Sequence, residues 1–273
     1  MKRLILLSLL LAGFAPAKPF ELVDGDRVVF VGNTFFERDL RYNHLETALT
    51  ARWPDRGVTF RNLGWDGDTV WGDARAEFGS PADGFNSLSK HVADLKPTVI
   101  FVAYGMSESF AGPGGLSPFT QQLDKMLDML SRTQARLILL SPVRHEDLGR
   151  PLPDPAEHNR HLALYVDAIA KTAVRRNCDF VNLFDLAGSK GQPLTQNGIH
   201  LNDRGYRAAT WTIERALGLP PLARVLDAPG SPVTEATLPI GPRAVKKAGL
   251  APGKHALKID GAAVCTHSAE EWA

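Results

Sequence analysis

Residues 98–108 read TVIFVAYGMSE. Thr98 to Tyr104 is almost unbroken apolar chain, and Gly105-Met106-Ser107-Glu108 then turns polar at once. A strand with one wet face alternates apolar and polar residues. A strand covered by helices on both faces does not, so this stretch reads as a central strand of a parallel sheet. The polar loop that follows occupies the place where open α/β sheets bind ligands, beyond the carboxyl ends of the strands.

The same pattern extends in both directions. Upstream, Arg27 to Gly32 (RVVFVG) is a β-branched run ending in glycine, a strand signal. Glu37 to Trp53 predicts a helix, with Tyr42, Leu45, Ala48 and Leu49 on one face and Pro54 as its stop. Val58 and Phe60 alternate with polar residues in a second strand. Downstream, Ser117-Pro118 reads as a helix cap followed by proline at the first helical position, with Leu123, Met126, Leu127 and Leu130 facing inward. Leu137 to Leu140 is a fourth strand. Asp154-Pro155 opens a helix whose inward residues are Leu162, Tyr165, Ile169 and Ala173, and Asp179 to Phe184 is a fifth strand. Asn202 to Leu217 is a last helix, closed by Gly218 and Pro220. Strand–helix alternation on this scale predicts a parallel sheet with helices on both faces.

Beyond Pro221 the period changes. Val233 to Leu238 and His255 to Ile259 alternate, and Asp260-Gly261 is a hairpin turn leading into Ala262 to Cys265. The Pro/Gly stretch Asp227 to Pro232 joins this part to the rest. At the other end, Lys2 and Arg3 precede the apolar run Leu4 to Phe14, and Ala15-Pro16-Ala17 offers small residues at a cleavage site. That is the pattern of an export signal, and the run is short for a membrane span. The expected organisation is therefore a signal peptide over residues 1–17, an α/β domain over 18–221 and a small β-rich appendage over 222–273. The mature protein is expected to be periplasmic or extracellular, without a membrane span. The chain stops at Ala273 with no closing element, so a partner domain beyond the C-terminus is expected.

Lys and Arg number 31 against 30 Asp and Glu, so no basic field draws nucleic acid or an anionic membrane to the whole chain. Two cysteines, Cys178 and Cys265, make neither a disulfide framework nor a four-cysteine zinc site. An oxidising compartment would permit them to pair; small buried thiols are the plainer reading.

Four polar clusters fall on the rim where the strands end: Gly32-Asn33-Thr34, Asn62 to Thr69 (NLGWDGDT), Gly105 to Glu108, and Asn197-Gly198-Ile199-His200. In this order they resemble the blocks of the SGNH hydrolases, or GDSL esterases, over about Arg27 to Leu217. Gly32-Asn33-Thr34-Phe35 is similar to an exported bacterial subgroup with G-N-T-F in the first block. The resemblance implies a flavodoxin-like three-layer α/β/α fold with five parallel strands in the order 2-1-3-4-5. It implies ester hydrolysis through an acyl-enzyme, with no metal or organic cofactor. Thr34 stands at the nucleophile, His200 at the base and Asn197 at the acid. The Thr34 and Gly67 amides and Ser107 stand at the oxyanion hole. Asn33, Trp65, Asp66, Glu108 and His145 are candidate substrate-binding residues.

Three departures from the family's pattern matter physically. Thr34 carries a methyl that restricts χ1 and crowds attack. Ser107 is shorter than the family's asparagine; losing an oxyanion donor in a comparable site costs about 10²–10³ in rate. Asn197 can accept from His200 yet brings no charge to stabilise an imidazolium; in a serine protease Asp→Asn costs roughly 10⁴.

Each residue also has a purely structural reading. Thr34 could cap the helix expected from Glu37. Gly67 could serve a turn with positive φ, and Asp66 and Asp68 could lock that loop. Glu108 could be solvated or bonded to backbone, and Arg144 to Asp147 could be a charged surface loop. His158 and His161 could lie on an exposed helix face, since no third metal ligand accompanies them. Trp65 and Trp71 could stack on a sugar or pack the rim.

Two functions follow: an exported hydrolase acting on acyl-carbohydrate or other small esters, or a module that keeps the cleft and binds without turnover.

Overall fold

The computed structural model describes residues 20–186, 192–220, 224–225, 245–246, 250–259 and 262–269. Strands β1 (Arg27–Gly32), β2 (Thr59–Gly64), β3 (Val99–Ala103), β4 (Arg136–Leu140) and β5 (Asp179–Val181) form one parallel sheet in the order β2-β1-β3-β4-β5. This is the expected topology. β1 and β3 are buried on both faces, because successive side chains point to opposite sides and each side has its own core. Phe30 and Phe101 point to the layer made by α1 (Thr34–Asp39), α2 (His44–Arg52) and α6 (Asp203–Ala216). Val29, Val31, Ile100 and Val102 point to the layer made by α3 (Pro81–Leu95), α4 (Leu116–Ser131) and α5 (Ala156–Arg176). Each fully buried large side chain contributes about 1.5–3 kcal/mol. The strand ends therefore rest on a tightly fixed base.

The helical stripes match expectation: Leu123, Met126, Leu127 and Leu130 of α4, and Leu162, Tyr165, Ile169 and Ala173 of α5, are all buried. Boundaries differ in several places. β2 runs on to Gly64, so Asn62, Leu63 and Gly64, expected in the loop after it, pair with Phe30, Val31 and Gly32 of β1. The single helix expected over Glu37 to Trp53 is two, α1 and α2. Asn43 takes a left-handed φ of 54°, and the Tyr42 amide donates to Asp39 O at 2.9 Å to close the turn between them. The apolar period continued through that turn because Tyr42 packs its ring on Tyr206. α3 was not expected, although Ser80 and Asp83 form a capping box around Pro81. α4 starts at Leu116, with Gly115 as its cap, because a 3₁₀ segment (Glu108–Gly115) runs straight into it. α5 starts at Ala156, and Pro155 is its cap. β5 ends at Val181, since the amides of Leu183 and Phe184 bond Ser141 Oγ at 2.8 and 3.1 Å.

In the C-terminal part, β6 (Arg224–Val225) and β7 (Val245–Lys246) form a short parallel pair. β8 (Lys254–Ile259) and β9 (Ala262–Ser268) form the expected antiparallel hairpin, with a bulge at Leu257/Lys258. The export signal at 1–17, the joining stretch 227–232, the alternation at 233–238 and the turn at 260–261 lie outside the described residues, as does the Cys265 side chain. Cys178 is half-buried against the α5 side of the core. Among the described residues, no helix is long and apolar enough to cross a membrane.

Candidate active site

The first block sits at the carboxyl end of β1. Asn33 is the cap of α1, its side chain accepting from the Phe35 amide at 3.1 Å. Thr34 is therefore the first helical residue rather than a cap, and its hydroxyl is left for other partners. The Gly67 amide donates to Thr34 Oγ1 at 2.9 Å, and the hydroxyl donates to Asp66 Oδ1 at 2.6 Å. The nucleophile position is thus held by the second block from both sides.

Close packing brings the two blocks together. A Cβ on Gly64 would lie 2.4 Å from the Glu37 amide nitrogen, so only glycine lets α1 press on the end of β2. Gly67 has φ +69°, the left-handed region that favours glycine, and its amide is thereby turned toward Thr34. Beneath this loop, buried Arg75 pairs with buried Asp68 at 2.5 Å and donates to Gly32 O at 3.1 Å. Tyr104 donates to the same Asp68 carboxylate at 3.0 Å. One ion pair thus ties the ends of β1, β2 and β3. Trp65 is 43% exposed, with the Arg75 guanidinium 5.7 Å from its ring centre.

In the third block, Ser107 faces the cavity beside Thr34. Glu108 does not. Its carboxylate is buried and accepts from the Val70 amide at 2.9 Å and the Gly105 amide at 2.8 Å, bridging the second and third blocks. Burial pushes it up to about 7. It is a scaffold residue, and its expected contact with substrate is corrected accordingly.

The last block is fixed by Glu146. Its carboxylate accepts from the amides of Leu194 (3.0 Å) and Thr195 (2.8 Å), and its own amide donates to Gly198 O at 2.7 Å. The stretch expected as a charged surface loop is thus the clamp for the histidine loop. His145 is buried and faces a separate cavity with Glu146 and Asn159, so it does not line the substrate cleft.

Asn197 departs from expectation in direction. Its Oδ1 accepts from the amides of His200 (3.0 Å) and Ile199 (3.4 Å), and its Nδ2 faces His200 Nδ1 at 3.1 Å. An amide nitrogen only donates, so in this orientation the contact is a hydrogen bond for the ring form with a bare Nδ1 and its proton on Nε2. A carboxylate could accept from both sides at once; an amide cannot. Burial, reinforced by Arg38, lowers the His200 pKa below the ordinary imidazole value, against the opposing pull of Asp66.

Thr34, Asn33, Ser107 and His200 line one cavity of about 90 Å³, otherwise walled mainly by apolar groups such as Met106, Phe110, Val143 and Ile199. Gly67 and Asp66 bond the nucleophile position directly, and Asn197 stands behind the histidine.

Residues 25–208, from just before β1 into α6, match the GDSL-like lipase/acylhydrolase family. The chain belongs to this family. No curated protein matches it in sequence. Among solved structures, it is similar to an acetylxylan esterase from Geobacillus stearothermophilus at 16% identity and TM-score 0.59, covering 74% of this chain and 98% of that one. That enzyme's catalytic mutants include substitutions of a serine, an aspartate and a histidine. It is also similar to an alpha/beta hydrolase from the metagenome of Lake Arreo, Spain, at 18% identity and TM-score 0.57, covering 72% and 97%. A gut microbial diltiazem-metabolizing enzyme aligns at 15% identity and TM-score 0.64, covering 92% of this chain and 71% of its own. At these identities the likeness is one of fold.

This GDSL-family site has one neighbour that the motifs did not reveal. His158, expected on an exposed helix face, is half-buried. Its Nε2 lies 2.8 Å from Ser109 Oγ and its Nδ1 3.0 Å from His145 Nδ1, with Phe110 stacked on the ring at 4.0 Å. Phe110 also lines the cavity, so this chain braces the wall below Ser107. The only trace in the sequence is a serine soon after the third block and a histidine on α5. Among the described residues, no group of three His, Cys, Asp or Glu side chains could hold a metal.

Proposed function

We propose that the protein is an exported ester hydrolase that removes short acyl groups from carbohydrate or similar small esters, with Thr34 as nucleophile. Thr34 Oγ1 attacks the ester carbonyl. The Thr34 amide and the Ser107 hydroxyl would stabilise the developing oxyanion, joined by the Gly67 amide as its bond to Thr34 Oγ1 is given up on attack, and water then releases the acyl group from Thr34. His200 would serve as base only with its proton on Nδ1, which requires the Asn197 amide to turn over. The observation that carries the reading is the pair of bonds on Thr34 Oγ1, from Gly67 and to Asp66, inside a cavity shared with Ser107 and His200. The small cavity supports a short acyl group, and exposed Trp65 supports a ring stacked at the rim. The acetylxylan esterase neighbour is in keeping with both. Export rests on the N-terminal pattern alone.

The test is kcat/KM on p-nitrophenyl esters of increasing acyl length, for wild type and Thr34→Ala. The reading expects a maximum at acetyl to butyryl and loss of turnover in the variant. Turnover by Thr34→Ala equal to wild type would overturn it. Binding of acetylated xylo-oligosaccharides without turnover by wild type would favour the binding module instead.

A further inference from the structure

We infer that Asp66, not His200, takes the proton from Thr34, so that the working base of this site sits on the second block. The inference rests on the Thr34 nucleophile proposed above. Two independent observations carry it. The Thr34 hydroxyl already donates to Asp66 Oδ1 at 2.6 Å, the length of a strong O–H···O⁻ bond. Separately, the Asn197 amide, pinned by the His200 and Ile199 amides, presents Nδ2 to His200 Nδ1, which favours the ring form with its proton on Nε2, and His200 lines the cavity. A ring in that form donates; it has no lone pair on Nε2 to receive a proton.

The chemistry balances. The Thr34 proton moves to Asp66 as Oγ1 forms its bond to the ester carbon, and the carbonyl pair moves onto oxygen. Collapse of the oxyanion expels the alkoxide, which takes the proton back from Asp66. In deacylation, water gives its proton to Asp66 and adds to the acyl carbon, and Thr34 Oγ1 leaves with that proton. His200 Nε2–H donates a hydrogen bond to the leaving oxygen and keeps its proton throughout. Asp66 is exposed, open to the water that the second half needs. Its charge also acts on His200, favouring the imidazolium.

The experiment compares kcat/KM on p-nitrophenyl acetate, with melting temperature, for wild type, Thr34→Ala, Asp66→Asn, Asp66→Ser, Asn197→Asp and Asp66→Asn/Asn197→Asp. Removing a general base costs about 10²–10⁴-fold. Both Asp66 variants should lose at least about 100-fold, in kcat rather than KM, with unchanged melting. Asn197→Asp puts the His200 proton on Nδ1 and frees Nε2, so it should restore Asp66→Asn by about tenfold or more. Near-wild-type activity in the Asp66 variants, with Thr34→Ala inactive, would overturn the assignment of the base and leave the Thr34 reading intact. A loss that Asn197→Asp does not restore would make Asp66 a loop-positioning residue and likewise overturn it. Activity in Thr34→Ala would remove both readings together.

Discussion

Asn197→Asp is the substitution whose effect the structure lets one work out most fully. The Asn197 Oδ1 already accepts from the His200 and Ile199 amides, and its Nδ2 already stands 3.1 Å from His200 Nδ1. A carboxylate can occupy the same place without rebuilding the loop. One oxygen keeps the two amides; the other accepts from Nδ1–H, so the ring proton moves and Nε2 becomes an acceptor. A carboxylate and an imidazolium about 4 Å apart interact by roughly 4 kcal/mol at an effective dielectric of about 20. At 1.36 kcal/mol per decade this is about 10³ in the rate of the path that Asn197→Asp opens, in which His200 takes the proton. The roughly 10⁴ lost when a serine protease triad exchanges Asp for Asn is of the same order. The Thr34 methyl remains, so the lower figure is expected for kcat/KM on a short acyl ester. The new charge must also raise the His200 pKa from its lowered value. NMR titration of the ring reads this independently of activity. A raised pKa with unchanged kcat/KM would show that the charge is in place and that the reasoning about His200 is wrong.

Thr34→Ser removes the methyl that restricts χ1 and crowds attack, and should raise kcat/KM by about three- to tenfold, the rate equivalent of ~0.5–1.5 kcal/mol. Combined with Asn197→Asp, it should gain more than the product of the single effects, because the residues act as a unit. Glu108 is held at about 7 by burial, above its ordinary 4.5, so its stabilising contribution is full below about 4.5 and lost as pH rises through 7. Over that window the protein should lose up to about 3 kcal/mol through this group. Denaturant titrations of Glu108→Gln should show a flatter pH dependence; an identical slope would refute the assignment. A chain ending at Pro221 keeps the Phe20 amide bond to Leu217 O at 3.1 Å and both cores, and should melt in one cooperative transition. Aggregation without a transition would make the C-terminal strands integral to the domain.

The fold was legible where physics acts locally. β1 and β3 are continuous apolar runs because two cores cover them, and no turn or exposed helix produces such a run. The four polar clusters were legible because loops after parallel strands gather on one rim; Thr34, Gly67 and His200 were singled out within them by their resemblance to the SGNH blocks. α3 carries little signal in the sequence beyond its Ser80-to-Asp83 box, since its apolar stripe is sparse: Gly84, Leu88 and Val92 are its buried residues. The α1–α2 break depends on one asparagine in a left-handed conformation, which no periodicity reports. Within the site, hydrogen-bond direction was not legible. That Asn197 donates to His200, that Asp66 accepts from Thr34 and that Glu108 turns away into the core all depend on loop geometry. The bonds from Ser109 to His158 to His145 join residues from three separate segments, and only the folded chain brings them into contact.

The central claim is that the acyl group passes through Thr34. Its most direct test is to mix the protein with p-nitrophenyl acetate, quench in acid within the first turnover, and map the adduct by peptide mass spectrometry. The account predicts one acetyl group on the peptide carrying Thr34, lost in Thr34→Ala. An acetyl group on another residue, or steady turnover with Thr34 unmodified at every quench time, would contradict it.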